Sequence, residues 1–346
     1  MMTARLAALC IAPLTCCAET FTWHQLPPLP DPLGVAGPFA GVSGGALLVA
    51  GGANFPDKMP WQGGKKAWHD RVWVLEQPDG AWRDAGKLPR PLGYGASANF
   101  GDWLVCVGGS DAVRHHADAF RLRWEKRRLV TESLPALPIA LANHCGAIIN
   151  RHFLYVACGA EAPGEHAASN RVFALDLHPR LHGWQERPRL PGKPRILAAA
   201  GTDLSDFYVF GGIALEEQES DNATSVQRVY LRDVWRYRVN EGWQRLADAP
   251  KPIAAVPSPV PLVNGEFLFL AGDDGSRAGF TPLEKHPGFP KTILAYDPTL
   301  DRWREAGETP APRATVPCVE WRGMFVIPSG EVRPGVRSPE VWSVRE

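Results

Sequence analysis

The stretch WREAGETP, residues 303–310, begins with a tryptophan and reaches a proline seven positions later. The same spacing occurs at Trp23/Pro30, Trp82/Pro89, Trp184/Pro191, Trp243/Pro250 and Trp303/Pro310. A motif that recurs about every fifty residues indicates an architecture of similar units, each of which needs its neighbours to bury its apolar surface. The spacing of this repeat therefore predicts the architecture, which no single segment does alone.

Between these motifs lie six short apolar runs that end in a glycine pair or a variant of it. They are residues 47–52, 104–109, 154–159, 208–212, 268–272 and 325–330. Each run predicts the second strand of a four-stranded unit, followed by a loop, a third strand with an aromatic residue and a fourth strand that carries the tryptophan. The unit that begins near Tyr94 lacks this tryptophan in its predicted fourth strand, residues 127–131. Four-stranded units repeated radially define a β-propeller, so we predict an all-β fold with six blades.

The last unit stops at its third strand, near residue 345. Its missing fourth strand would carry a tryptophan and then a proline, and residues 20–30 supply both in Trp23 and Pro30. We therefore expect the N-terminal strand to close the last blade and leave no unpaired edge. We expect the tryptophans to pack between blades, because large rings bury much apolar area. The glycine pairs precede no helix, so we interpret them as tight strand ends and not as phosphate loops.

The N-terminal residues differ from the rest of the chain. Arg5 precedes an apolar run at residues 6–14 and small residues that end at Ala18. This pattern predicts a signal peptide at residues 1–18, and the run is too short for a permanent membrane span. A lipid anchor at Cys16 or Cys17 is an alternative. We expect a periplasmic or secreted protein in which residues 19–346 form a single propeller domain.

Composition excludes several classes of function. The chain of 346 residues carries 37 basic and 37 acidic side chains, so it has no net field that would attract nucleic acid. The basic cluster at residues 121–128 falls on a predicted outer strand pair and indicates a solvated face.

Cys106, Cys145, Cys158 and Cys318 lie inside apolar runs, which favours buried thiols and leaves a disulfide open.

No spacing of metal ligands is evident, and we predict neither a metal nor a cofactor. The candidate histidines are scattered, at His69, His115, His116, His144 and His166. Residues 273–276 are similar to a fragment of a calcium loop but lack the remainder of it. No serine elbow or nucleotide-binding fingerprint appears.

Long loops follow the glycine pairs and should all emerge on one face, which makes that face the expected site. The loops are residues 53–69, 110–117, 160–169, 213–231, 273–290 and 331–339. The acids at their starts are Asp111, Glu161, Asp273, Asp274 and Glu331. Glu331 directly follows Ser329-Gly330, with Arg333 and Arg337 close behind it. A carboxylate here could act as a general base and an arginine could hold a substrate carboxylate, or the two could form a salt bridge that fixes the loop.

The glycine pairs, third-strand aromatics and spaced tryptophans resemble kelch-repeat propellers. More narrowly, residues 31–43 (DPLGVAGPFAGVS), 48–55 (LVAGGANF) and 329–338 (SGEVRPGVRS) are similar to segments of the bacterial N-acetylneuraminate epimerases, also called sialic acid mutarotases. The first two segments lie near the C-terminal end of those enzymes, so the chain resembles their cyclically permuted branch. The resemblance covers about residues 20–346.

This resemblance implies an isomerase that interconverts the anomers of N-acetylneuraminate or a related acidic sugar without a cofactor. It implies that Glu331 is the catalytic proton acceptor and that Arg337 binds the substrate. A non-catalytic kelch propeller that binds a protein or glycan partner through the same loops is the alternative. A copper oxidase is a weaker one, because its tyrosine, histidine and cysteine ligands cannot be assembled here. The sequence leaves the true sugar and the oligomeric state open.

Overall fold

The computed structural model describes residues 21–164, 168–178, 183–220 and 223–345. The predicted signal peptide lies outside these ranges. The strands form six four-stranded antiparallel sheets and two short ladders of two strands each, which confirms the six-bladed propeller. Within the described ranges the only helical segments are single 3-10 turns at Pro60–Gln62 and Leu283–Lys285, and neither is long and apolar enough to cross a membrane.

The strands follow one another along the chain with no intervening helical layer. In chain order they are β1 (Thr22–Leu26), β2 (Phe39–Ser43), β3 (Ala46–Ala50), β4 (Ala53–Asn54), β5 (Ala67–Trp68), β6 (Arg71–Leu75), β7 (Arg83–Lys87), β8 (Ala96–Phe100), β9 (Trp103–Val107), β10 (Ala119–Glu125), β11 (Arg128–Leu134), β12 (Cys145–Ile149), β13 (Phe153–Ala157), β14 (Val172–Asp176), β15 (Gln185–Arg187), β16 (Ala199–Thr202), β17 (Phe207–Ser220), β18 (Ala223–Arg238), β19 (Gly242–Leu246), β20 (Leu262–Val263), β21 (Glu266–Phe269), β22 (Thr292–Asp297), β23 (Arg302–Glu308), β24 (Val319–Trp321), β25 (Met324–Pro328), β26 (Glu331–Arg333), β27 (Val336–Arg337) and β28 (Val341–Arg345).

Each blade follows the predicted order of strands. Blade 1 is β2-β3-β6-β7, blade 2 is β8-β9-β10-β11, blade 3 is β12-β13-β14-β15, blade 4 is β16-β17-β18-β19 and blade 5 is β20-β21-β22-β23. Blade 6 is β24-β25-β28-β1. Several hairpin turns place two consecutive residues at positive φ, which is the type I′ geometry that matches strand twist. These turns are Gly44-Gly45, Lys126-Arg127, Asn150-Arg151, Asn264-Gly265 and Arg322-Gly323.

The N-terminal strand closes the last blade as predicted. β1 pairs antiparallel with β28 from Thr22 opposite Arg345 to Leu26 opposite Val341. Both ends of the described chain are thereby held in one sheet. The indole of Trp82 in blade 1 donates to the carbonyl of Pro27, which directly follows β1, so the joint between blade 6 and blade 1 is also bonded.

A closed circle of backbone hydrogen bonds surrounds the propeller axis. In each blade, the residue that precedes the first strand donates its N–H to the carbonyl of the equivalent residue in a neighbouring blade, at 2.7–2.9 Å. The six residues are Gly37, Tyr94, Asn143, Leu197, Ala255 and Thr315, and all have positive φ. We call them the axial ring. Glycine is required at Gly37, because a Cβ there would lie 2.6 Å from the Tyr94 ring.

The repeated tryptophans pack between blades and also form hydrogen bonds there. Four of them donate the indole N–H to a carbonyl of the preceding blade: Trp82 to Pro27, Trp184 to Pro135, Trp243 to Pro188, each at 2.7 Å, and Trp303 to Ala247 at 3.0 Å. Trp23 packs beside Phe21 against blade 5, but its buried Nε1 has no partner among the described residues. In blade 2, which lacks the motif, Leu129 packs in the corresponding interface with blade 1.

One predicted loop is a regular element, and that prediction was wrong. Residues 213–231 continue β17 and β18 beyond the sheet as a long hairpin, with cross-strand pairs that run from Gly212 opposite Leu231 to Ser220 opposite Ala223. The polar sequence indicated a loop. It forms strands because each strand satisfies the backbone N–H and C=O groups of the other, and because Ile213, Leu215 and Tyr230 at its base pack in a core cluster.

Two other predictions are confirmed. Cys106, Cys145, Cys158 and Cys318 are buried and free, and burial raises the pKa of the Cys158 and Cys318 thiols to about 12. The basic cluster lies on β10–β11, where Arg121 pairs with Glu132 and Arg123 with Glu125. Lys126, Arg127 and Arg128 are exposed, so the cluster is a solvated face of the propeller, as predicted.

The tryptophan hydrogen bonds can be measured by a matched pair of variants. Trp82→Phe removes a ring segment and the indole donor to Pro27, whereas Trp23→Phe removes the same atoms but no hydrogen bond. We expect Trp82→Phe to lower the free energy of unfolding by about 1 kcal/mol more than Trp23→Phe, as one hydrogen bond contributes. Urea denaturation checks this, and equal losses in the two variants would contradict it.

Candidate functional site

The residue that directly follows each glycine pair occupies an equivalent position beside the axial ring. Each forms an antiparallel bridge with the residue that precedes the ring residue of its blade. The six are Ala53, Ser110, Ala160, Ile213, Asp273 and Glu331. Four are neutral, and the two acids belong to the adjacent blades 5 and 6. Of the predicted rim acids, Asp273 and Glu331 therefore occupy this circle, while Asp111, Glu161 and Asp274 lie one residue further along their loops.

A short hairpin brings Glu331 and Arg337 together. β26 and β27 pair so that Glu331 stands opposite Arg337, which accounts for the spacing of six residues. Glu331 Oε1 lies 2.9 Å from Arg337 Nη2, and the two side chains are 17% and 3% exposed. The predicted salt bridge therefore exists, and it is largely removed from solvent. Such a pair can fix a loop and can also hold a carboxylate ready for proton transfer.

Arg337 extends from blade 6 into contacts with blades 1 and 2. Its Nε donates to the Ala53 carbonyl at 3.3 Å and its Nη2 to the Tyr94 hydroxyl at 3.2 Å. The guanidinium carbon lies 4.7 Å from the centre of the Phe55 ring. Its Nη1 is buried and has no hydrogen-bond partner among the described residues. One donor group of a buried arginine thus remains for a ligand.

Two opposing influences act on the pKa of the Glu331 carboxyl. Burial raises its pKa above the ordinary 4.5, whereas the positive charges of Arg337 and Lys66 act to lower it. Asp273 adds to the upward shift and Arg228 opposes it. The net direction is upward, because desolvation penalises the charged form more than the cations favour it. A raised pKa brings a carboxylate closer to the range in which it exchanges protons efficiently at neutral pH.

Lys66 is a site residue that the sequence did not reveal. The ladder of β4 and β5 pairs Asn54 with Ala67, and Phe55 and Lys66 are the next residues beyond that pair. The Lys66 ammonium lies 4.7 Å from the centre of the Tyr94 ring, 5.4 Å from that of Trp68 and 6.0 Å from that of Phe55. The only sequence signal was a lysine between aromatic residues in a rim loop.

Asp273 has a different partner from Glu331. Tyr230, on the long hairpin of β17 and β18, donates its hydroxyl to Asp273 Oδ2 at 2.8 Å. The other oxygen of Asp273 accepts the Gly275 N–H at 2.9 Å, and Asp274 accepts the Ser276 N–H at 3.0 Å. The carboxylates of the calcium-like fragment are therefore used within their own turn and by Tyr230.

The remaining candidates have structural partners. Asp111 accepts from His116 Nε2 at 2.7 Å; burial raises its pKa, but hydrogen bonds from the Arg114 and Val113 N–H groups and from His116 outweigh this and lower it to about 2. His144 is buried, which lowers its pKa to about 4. Arg333 donates to the Glu284 carbonyl at 2.6 Å and so turns away from Glu331. His69 Nε2 lies 2.9 Å from Asn54 Oδ1 and His115 Nδ1 lies 3.0 Å from the Ala160 carbonyl, whereas His166 lies outside the described residues.

One cluster of possible metal ligands lies at the opposite end of blade 3. Ligand atoms of His152, Asp176 and His178 are within 4.8 Å of one another. The two imidazoles stack at 4.1 Å with only 4° between their planes, and His152 Nδ1 is bonded to the Asn150 carbonyl. Parallel rings do not direct their lone pairs at one ion, so we assign no metal to this cluster.

A cavity of about 80 Å³ lies along the axis, and the axial-ring residues contribute to its lining. Neither Glu331 nor Arg337 lines it. Tyr94 connects the two features, because it lines the cavity and its hydroxyl accepts from Arg337. The buried charges lie at the mouth, and the chemistry is therefore assigned to the mouth and not to the axial cavity.

Comparison with known proteins confirms the resemblance found in the sequence. Residues 6–131 match the sequence model of the N-acetylneuraminate epimerase family. An N-acetylneuraminate epimerase of Yersinia enterocolitica is 28% identical over 238 residues, which cover 61% of this chain and 57% of that protein. One of Salmonella arizonae is 43% identical over 109 residues, 27% of this chain and 28% of that protein. The aligned residues thus span at most 57% of the length of these curated relatives.

The fold has a counterpart among solved structures. A structure titled "Structure of YjhT" aligns with a TM-score of 0.63, covering 93% of this chain and 99% of that one at 16% identity. This likeness supports the propeller fold alone. The family match at residues 6–131 includes Phe55, Lys66 and Tyr94 but ends well before Glu331. The family match therefore covers the part of the site that contains Phe55, Lys66 and Tyr94. Glu331 and Arg337 lie outside it and are assigned from the geometry of the structure.

The electrostatics of Glu331 can be tested without reference to any reaction. Arg337→Met removes the largest influence that lowers the pKa of Glu331, so that pKa should rise further. Arg333→Met is the matched control, because Arg333 bonds to a carbonyl elsewhere and should leave the pKa unchanged. Carbon-13 NMR of labelled glutamate, with Glu331→Gln for assignment, measures both. A fall in the Glu331 pKa on removing Arg337 would refute this account.

Proposed function

We propose that this protein, as a relative of the N-acetylneuraminate epimerases, interconverts the anomers of N-acetylneuraminate or a related acidic sugar by acid–base catalysis. The observation that carries the proposal is the buried Glu331 carboxyl held at 2.9 Å by Arg337, whose Nη1 is left without a partner. A base and a cation for an acid group thus lie side by side at the mouth of the propeller.

The proposed anomer exchange requires few groups besides Glu331 and Arg337. Glu331 takes the proton of the anomeric hydroxyl, the bond between the anomeric carbon and the ring oxygen breaks, and the ring oxygen gains a proton. The open-chain ketone then turns its other face to the same oxygen, and the steps run in reverse to close the ring. No atom or electron is gained or lost overall, so the reaction requires no cofactor. Water or a second acid of the site completes the proton transfer to the ring oxygen.

Arg337 suits a substrate of this class. In a 2-keto sugar acid the carboxylate is attached to the anomeric carbon, so a cation that binds it must lie next to the base. Arg337 satisfies this requirement, since it contacts Glu331 through Nη2 and keeps Nη1 for a ligand. An arginine donor to a carboxylate forms a charge-assisted hydrogen bond, which is stronger than a neutral one.

Proton NMR of freshly released α-N-acetylneuraminate tests the activity. The protein should accelerate conversion to the β-anomer, and Glu331→Gln should reduce the catalysed rate by a factor of about 10²–10⁴, as expected for loss of a general base. Glu161→Gln is the control, since Glu161 is an exposed rim acid. An unchanged rate with the wild-type protein would leave a non-catalytic binding propeller as the function. Full activity in Glu331→Gln would show that another group is the base.

An exported location is part of the proposal. Residues 1–18 have the pattern of a signal peptide, although they lie outside the described residues. N-terminal sequencing of protein recovered from a periplasmic fraction should begin at Glu19. Recovery from the cytosol with residues 1–18 intact would contradict export.

A further inference from the structure

We infer that Lys66 binds the carboxylate of the sugar acid and sets the preference for acidic over neutral sugars. This inference rests on the proposed function and assigns a second cation to its site. Lys66 lies in the loop after the first glycine pair, on blade 1, whereas Glu331 and Arg337 belong to blade 6.

Lys66 differs from the other described lysines. It is half-buried, yet no described carboxylate lies within ion-pair distance of its ammonium group. Lys87, Lys193 and Lys251 pair with Asp70, Glu216 and Glu305. The lysines without an ion pair are otherwise exposed, at Lys58, Lys65, Lys126, Lys285 and Lys291. A partly desolvated ammonium without a counter-ion is costly, and an anionic ligand would satisfy it.

Three aromatic rings hold the Lys66 ammonium in place. Tyr94, Trp68 and Phe55 lie within 6.0 Å of it, a distance at which ring faces attract cations. Two of these rings also contact Arg337, which stacks on Phe55 and donates to the Tyr94 hydroxyl. The two cations therefore border the same aromatic residues, and both act on the Glu331 carboxyl.

The charges of the site require a second cation when an acid binds. Arg337 already neutralises Glu331, because its Nη2 lies 2.9 Å from Oε1. A substrate carboxylate would bring a second negative charge beside Glu331, and Arg337 alone cannot balance both. Lys66 supplies the missing positive charge, so Glu331, Arg337, Lys66 and a bound acid together carry no net charge, whereas a neutral sugar leaves one of these cations uncompensated.

Equilibrium binding of two matched ligands tests this inference. Isothermal titration calorimetry should show that the wild-type protein binds N-acetylneuraminate at least about tenfold more tightly than its C1 amide, the order expected for a charge-assisted hydrogen bond. Lys66→Met should abolish most of this preference, and Lys66→Arg should keep it. Lys65→Met, which alters the exposed neighbouring lysine, should leave the preference unchanged. If Lys66→Met fails to fold, Lys66→Gln gives the same comparison, because the wild-type ratio alone does not separate Lys66 from Arg337.

Kinetics separates a role in binding from a structural one. On the plateau of the pH–rate profile, Lys66→Met should raise KM about tenfold and leave kcat nearly unchanged, since Lys66 would contact the carboxylate equally in the ground and transition states. A fall in kcat alone, or an unchanged ratio of acid to amide affinity in Lys66→Met, would overturn the inference. If the preference for the acid depends on Lys66 but the protein does not accelerate anomer exchange, only the proposed function is refuted. Binding of neither ligand would refute both.

Discussion

The axial ring of backbone hydrogen bonds is the constraint on which the rest of the structure depends. Each blade contributes one residue at positive φ, and its N–H reaches the carbonyl of a neighbouring blade until the circle is complete. Because these bonds involve only backbone atoms, the six side chains are free to differ. The ring therefore fixes the spacing of the blades at the axis while leaving the chemistry of the mouth variable. Glu331 and Asp273 lie beside the ring, at two of the six equivalent bridge positions.

The candidate site is asymmetric although the scaffold is repetitive. Blade 6 contributes the carboxylate and the arginine, blade 1 contributes Phe55 and Lys66, and blade 2 contributes Tyr94. The chain closes on itself next to the joint between blades 6 and 1, where β1 pairs with β28 within blade 6. The indole of Trp82 bonds across this joint to Pro27, so the contact that stabilises closure also holds two halves of the site in register. The interface between blades 6 and 1 thus contributes both to the stability of the closed ring and to the geometry of the candidate site.

Most of the fold was predictable from the repeat, because its spacing gave the number of blades and assigned Trp23 to the last blade. The pair of Glu331 and Arg337 was also predictable, because both residues lie within one hairpin directly after a glycine pair. Lys66 and Tyr94 were not, because their approach to Arg337 depends on ring closure between blades that are distant in sequence. The long hairpin of blade 4 was missed for another reason: residues 216–228 are mostly polar and lack the alternation of a half-buried strand, and cross-strand backbone pairing extends the strands beyond their buried base.

Pairing of the first strand with the last has a consequence for the order of folding. Thr22 and Arg345 are neighbours in one sheet although almost the whole chain separates them. During synthesis from the N-terminus, β1 is made first and has no partner until β28 is complete. The other blades are formed from segments close in sequence and can assemble early, whereas this contact must wait and has the highest loop-closure cost. Blade 6 is therefore the last to form, and the pairing of Glu331 and Arg337 with their neighbours across the joint marks the end of folding.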